Sequence, residues 1–176
     1  MTVTEPTTNA TDSASCILSD FVRAKAEQAA LELGFSWIGT ATAPSTYQQL
    51  RGAFKISLQT GAPLPISNQF CDSSIFPDPS DNVAFRFWHD VSHVRLGLSF
   101  DLEDELELAL WHLSELEVSG HPKGGDVYRL FESDLIGQVL LFALIRRFAI
   151  NQQAFSNTIR AEGLLPGVLA EIRRLT

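Results

Sequence analysis

Apolar positions recur along this chain at three- and four-residue intervals, and no stretch keeps the strict alternation of a half-buried strand. Residues 16–33, CILSDFVRAKAEQAALEL, set Leu18, Phe21, Val22, Ala26, Ala29 and Leu33 on one helical face, and Gly34 closes the helix. A weaker helix over residues 46–58 aligns Leu50, Phe54 and Leu58. Residues 62–82 carry four prolines and several turn formers. They predict a long irregular crossover, pinned to the body by Phe70, Ile75 and Phe76, with a lid as one use for it. Helices are then expected over residues 83–96, 101–118, 126–150, 151–162 and 166–175, with the turn SGHPKGG at 119–125. Within 101–118 the core stripe is Leu102, Leu106, Ala109, Leu113 and Leu116, bordered by Glu105 and His112. The run Val139 to Ile145 is apolar on every side, yet shorter than the ~20 residues a bilayer span needs. It reads as the central buried helix or as one wall of a greasy pocket. Residues 1–15 lack an apolar core and any Arg or Lys, and so read as a disordered tail rather than a secretory signal or transit peptide. The pattern therefore predicts an all-α fold: one compact domain over residues 16–176, built of about seven helices.

The third and fourth of these helices hold the chain's most specific chemistry. In RFWHDVSHVRLGLSFDLEDEL, residues 86–106, His89 and His93 stand at i and i+4, which sets both rings on one helical face about 6 Å apart. Asp90 shares the edge of that face. Gly97 is placed to end the helix, and Ser99 or Asp101 to cap the next. His93 lies about four residues before the turn and Glu105 about four after it, so an antiparallel hairpin brings them to one level. Imidazoles and carboxylates meeting at one level make a first-row metal site, with zinc foremost. The candidate ligands are His89, Asp90, His93 and Glu105. Asp90 is either a direct ligand or a proton-handling group that leaves a fourth position to water or substrate. Arg86, one turn before His89, is placed to pair with a carboxylate of the site or an anionic substrate group. Asp134 and Gln138 share a face of an otherwise apolar helix, where they either satisfy each other or line a cavity. His112 with Glu115, and His121 in its turn, read as surface polar groups.

Composition narrows the class. Hydrophobic residues make up 45% of the 176-residue chain and the net charge is −8, so an electrostatic grip on nucleic-acid phosphates is not expected. Cys16 and Cys71 form no zinc-knuckle or CxxC spacing and read as free thiols in a reducing compartment. The expected setting is cytoplasmic, with any membrane association peripheral. Self-association as a homodimer stays open.

The order HDxxH, eleven residues, then Glu resembles the signature of the coenzyme Q biosynthesis protein 4 family. It is carried here by His89, Asp90, His93 and Glu105. Arg86 before the first His and Gly97-Leu98 after the second are similar to the family's flanks, and the resemblance covers about residues 82–118. Where the family usually has Gly-Glu, this chain has Asp104-Glu105. The resemblance implies an all-helical, divalent-metal protein that handles a prenylated aromatic ring in ubiquinone biosynthesis, replacing the ring carboxylate at carbon 1 by hydroxyl. It also implies partners among pathway enzymes at a membrane, with Asp90 and Arg86 as catalytic groups; a related small-molecule tailoring reaction is the near variant. From another class, the chain reads as a non-catalytic lipid-binding scaffold with a structural metal. A zinc peptidase is disfavoured, because Asp90 stands where the peptidase HExxH helix has Glu, one methylene longer.

Overall fold

A computed structural model describes residues 8–175, with side chains from residue 13. Seven helices and two short strands follow in the order α1 (Thr8–Leu33), β1 (Trp37–Thr40), α2 (Tyr47–Thr60), β2 (Leu64–Ser67), α3 (Pro79–Leu96), α4 (Leu102–Val118), α5 (Asp126–Ile145), α6 (Gln152–Glu162) and α7 (Leu164–Leu175). The all-helical, single-domain expectation holds. Several boundaries differ from it: α3, for one, begins at Pro79 rather than at residue 83, within the segment read as an irregular crossover, because Asp78 caps it and Pro79 opens it.

Helix α1 begins at Thr8, inside the segment read as a tail, and Ala14 and Ser15 are already buried. Small residues there read as tail by composition, yet they are what fits against the body. The rest of that segment, residues 1–7, lies outside the described residues. The strands were not legible because each is only four residues long. They pair in parallel, Trp37 opposite Leu64 through Thr40 opposite Ser67, with α2 as the crossover. Parallel strands need such a crossover, so residues 37–67 form a miniature strand–helix–strand unit. Helix α5 stops at Ile145 rather than Ile150, with Arg146 in the left-handed region at φ 56°. The chain then folds back, so that Phe148 stacks on Phe142 at 4.7 Å and the Ala149 N–H donates to Gln138 Oε1 at 3.1 Å.

Helix α1 lies against α3 and α5, and α4 packs on α5. Their shared core includes Leu18, Val22, Phe87, Val91, Leu113 and Phe131. An aromatic seam runs through it: Phe21 meets Trp88 edge-on at 5.5 Å, and Phe85 meets Phe131 edge-on at 5.5 Å. Helices α6 and α7 close a second, smaller cluster of Leu141, Ala149, Phe155, Ile159 and Val168. Here the run from Val139 to Ile145 departs from its expected role. Only Leu141 is fully buried and Leu144 is 64% exposed, so this run is the floor of a satellite cluster, not the centre of the protein. Gly137 and Gly167 allow that cluster its close approach, since a Cβ on Gly167 would stand 2.9 Å from the Ile159 Cα.

The crossover from β2 to α3 is pinned as expected by Ile75 and Phe76, both buried, while Phe70 is exposed. Polar ties add to this: Ser73 Oγ donates to the Ile150 carbonyl at 2.7 Å, and the Gln153 N–H donates to the Ser73 carbonyl at 3.0 Å. Among the described residues no helix is long and apolar enough to cross a membrane.

Candidate metal centre

Local sequence signals build the hairpin that carries the site. Asp78 caps α3 by accepting from the Ser80 N–H at 2.7 Å, and Pro79 opens the helix with its φ preset. Gly97 ends it in the left-handed conformation at φ 74°, and the Leu98 N–H donates back to the His93 carbonyl at 3.0 Å. Asp101 occupies the cap position of α4 without a side-chain cap bond. Instead, the Asp104 carboxylate accepts from the Ser99 N–H at 2.6 Å, which locks the turn between the helices.

This turn brings three of the four candidate ligands together. His89 Nε2 and His93 Nε2 lie 3.0 Å apart. Glu105 spans both, with Oε2 3.6 Å from His89 Nε2 and Oε1 3.5 Å from His93 Nε2. All three donor atoms lie within 4.8 Å of one another. Asp90 is not among these converging groups. It sits half-buried beside them, and burial raises its pKa to about 6 against the opposing pull of His89 and Arg86.

The ring edges that face away from the cluster are also held. His93 Nδ1 meets the Leu98 carbonyl at 3.2 Å, and a carbonyl can only accept, so Nδ1 carries the proton of a neutral ring. The His93 Nε2 lone pair is thereby aimed inward. His89 Nδ1 meets His112 Nε2 at 3.2 Å. Burial lowers the pKa of His93, with Glu105 partly opposing it. Burial alone would raise Glu105, but the facing rings of His89 and His93 bring it down to about 2, which holds the carboxylate as the anion. His93 is fully buried, whereas the side chains of His89 and Glu105 keep 22% and 25% exposure. The cluster therefore opens to solvent on the side of His89 and Glu105.

The donor set fits a divalent ion. Two imidazole nitrogens and one carboxylate are the protein ligands of several catalytic zinc sites, which keep a further position open. A tetrahedral ion with bonds near 2.0–2.1 Å sets donor–donor edges at about 3.3–3.4 Å. The N–N separation of 3.0 Å and the N–O separations of 3.5 and 3.6 Å, each to a different oxygen of Glu105, lie close to that value, so the carboxylate straddles the two rings.

Arg86 has different surroundings from those the sequence suggested, while Asp134 and Gln138 take the first of the two arrangements it left open. Arg86 Nη1 donates to the carbonyls of Ser67 and Gln69 at 2.9 and 2.8 Å, so it fastens the crossover next to the site. Asp134 and Gln138 satisfy each other and the backbone: Gln138 Nε2 donates to Asp134 Oδ1 at 3.5 Å, and its Oε1 accepts from Ala149.

His112 is the correction of most consequence. It is not a surface group but fully buried, and burial holds its pKa well below the usual histidine range. Glu115 pairs with Lys25 instead, at 2.6 Å. The signal was present in the spacing, because residue 112 lies seven positions after Glu105, two turns along the same face. The buried stripe of α4 is Leu108, Ala109, His112, Leu113 and Leu116, rotated from the predicted one so that Leu102 is 46% exposed.

No family model, no curated protein and no solved structure matches the chain.

Proposed function

We propose that the chain is a divalent-metal protein, with zinc the preferred ion, whose centre is His89, His93 and Glu105. The observation that carries this reading is the convergence of two Nε2 atoms and one carboxylate at 3.0–3.6 Å. The two nitrogens and the carboxylate need a proton or a cation between them at such separations, and a divalent ion satisfies all three groups at once.

A three-residue donor set with an exposed side favours a working centre over a closed structural one. Together with the HDxxH-x11-E resemblance, this supports a metal-dependent enzyme acting on a prenylated or other apolar aromatic ring, in the manner of a lyase or oxidative decarboxylase. A bound ion there would supply Lewis acidity toward a ring carboxylate or phenolate. His89, His93 and Glu105 would hold it, Asp90 would handle protons beside it, and Arg86 would keep the adjoining crossover in place. A pathway at a membrane surface is part of the same reading. Its support is that Phe148 and Ile150 are exposed next in sequence to Arg146 and Arg147, and that Leu165 and Leu169 are exposed one turn apart on α7.

The test is elemental analysis and metal titration of the purified protein, with mass spectrometry of any co-purifying lipid. The expected result is one divalent ion per chain, lost in His93→Ala and kept in Asp90→Asn. Removal of the ion by a chelator is expected to leave the helical fold intact. If the protein unfolds with its metal, the scaffold with a structural ion is the correct reading. If wild-type protein takes up no ion, the metal reading fails.

A further inference from the structure

The buried His112 has no place in the donor set, and its contacts are unusual for a core position. Its Nε2 lies 3.2 Å from His89 Nδ1, on the opposite side of the His89 ring from the donor cluster. The two rings meet edge to edge, with centroids 5.4 Å apart and planes only 26° apart, as an in-plane N–H···N bond requires. Around it stand Trp88, Trp111, Phe85 and Phe131, with ring centroids at 4.1, 5.1, 5.7 and 6.4 Å. Its other nitrogen, Nδ1, is buried with no hydrogen-bond partner among the described residues.

These contacts define a direction for the hydrogen bond. A neutral imidazole has one N–H and one lone pair. If His112 Nε2 donated to His89, its Nδ1 lone pair would be left among ring faces that are themselves electron-rich. If Nε2 accepts, Nδ1 carries the proton, and an N–H among aromatic rings retains weak N–H···π contacts. The accepting arrangement places the His89 proton on Nδ1 and bares its Nε2 toward His93 and Glu105. His93 is prepared in the same way by the Leu98 carbonyl.

We infer that His112 is a positioning residue for the metal centre: by accepting from His89 Nδ1–H, it selects the tautomer and ring orientation in which His89 can bind an ion through Nε2. This rests on the metal reading above and extends it to a residue outside the ligand set. Partners of this kind commonly change metal affinity by about 10–100-fold when removed. The role usually falls to a carboxylate or a carbonyl. A histidine within an aromatic box performs it here without adding negative charge next to Glu105.

The test is zinc titration against a chromophoric chelator for wild type, His112→Phe and His112→Gln, with each metal-free protein melted alongside. Phe removes the acceptor and keeps an aromatic ring. Gln keeps an acceptor, since its Oε1 can stand where Nε2 stood. The expected result is about 10–100-fold weaker zinc binding for His112→Phe, restored to within a few-fold of wild type by His112→Gln. Nitrogen-15 NMR of zinc-loaded wild type provides a readout that needs no variant to fold. It should show His89 protonated at Nδ1 and ligated through Nε2, with His112 Nε2 bare. Wild-type-like affinity in His112→Phe, or a proton on His112 Nε2, overturns the inference while leaving the metal reading standing. Failure of wild type to bind zinc overturns both.

Discussion

Asp134 offers a prediction whose size can be worked out directly. It lies on α5 at 7% exposure, and its carboxylate has a long 3.5 Å hydrogen bond from Gln138. Burial raises its pKa from 3.8 to about 7, against smaller opposing effects of the Gln138 bond and the Arg86 charge. Below pH 3.8 the folded and unfolded chains are both protonated at this site, and the stability it contributes is fully present. As the pH rises toward 7 the unfolded chain ionises while the folded one keeps its proton, so stability falls by about 1.4 kcal/mol per pH unit. Above 7 the loss levels off, with a ceiling of about 4 kcal/mol that solvent relaxation around a buried charge would reduce. Asp134→Asn keeps the shape and the oxygen that accepts from Gln138, and removes the titration. In urea unfolding at pH 4, 5.5, 7 and 8.5, variant and wild type should be nearly equal at pH 4. By pH 8.5 the variant should be about 2–4 kcal/mol more stable. The raised pKa of Asp90 acts in both proteins and cancels from the difference. Parallel stability curves across this range would show that Asp134 ionises in place at no cost, and the burial reasoning would be refuted.

Two further predictions concern the packing and the crossover. Gly167→Ala drives a Cβ to 2.9 Å from the Ile159 Cα, so α7 must back away from α6 at a cost of about 1–3 kcal/mol, read as a lower melting temperature. Gly52→Ala, mid-helix in α2 with nothing within 4 Å of the new methyl, should instead stabilise by about 0.5–1 kcal/mol. Equal shifts for the two would contradict the geometry. Arg86→Ala removes both bonds to the Ser67 and Gln69 carbonyls, and limited proteolysis should then cut residues 68–78 about tenfold faster, a local loss near 1.4 kcal/mol. Zinc stoichiometry should be unchanged, since Arg86 holds the crossover rather than the ion.

By itself the sequence determined what depends on neighbours along the chain. Helical periodicity, the Gly97 stop and the i, i+4 histidines are local, and they were enough to place His89, His93 and Glu105 at one level of a hairpin. Tertiary structure decided what depends on which faces meet. The four-residue strands β1 and β2 are stable only as a pair brought together across α2, so neither leaves a pattern of its own. Asp90 satisfies the same spacing rule as a ligand, yet the rotation of α3 in the hairpin leaves it beside the donors. His112 bears the same residue type whether it faces water or a ring nitrogen. Only the packing of α4 against α3 and α5 buried it among Phe85, Trp88 and Phe131 and set its Nε2 against His89, because contact across helices is fixed by three-dimensional fit and not by spacing along one of them.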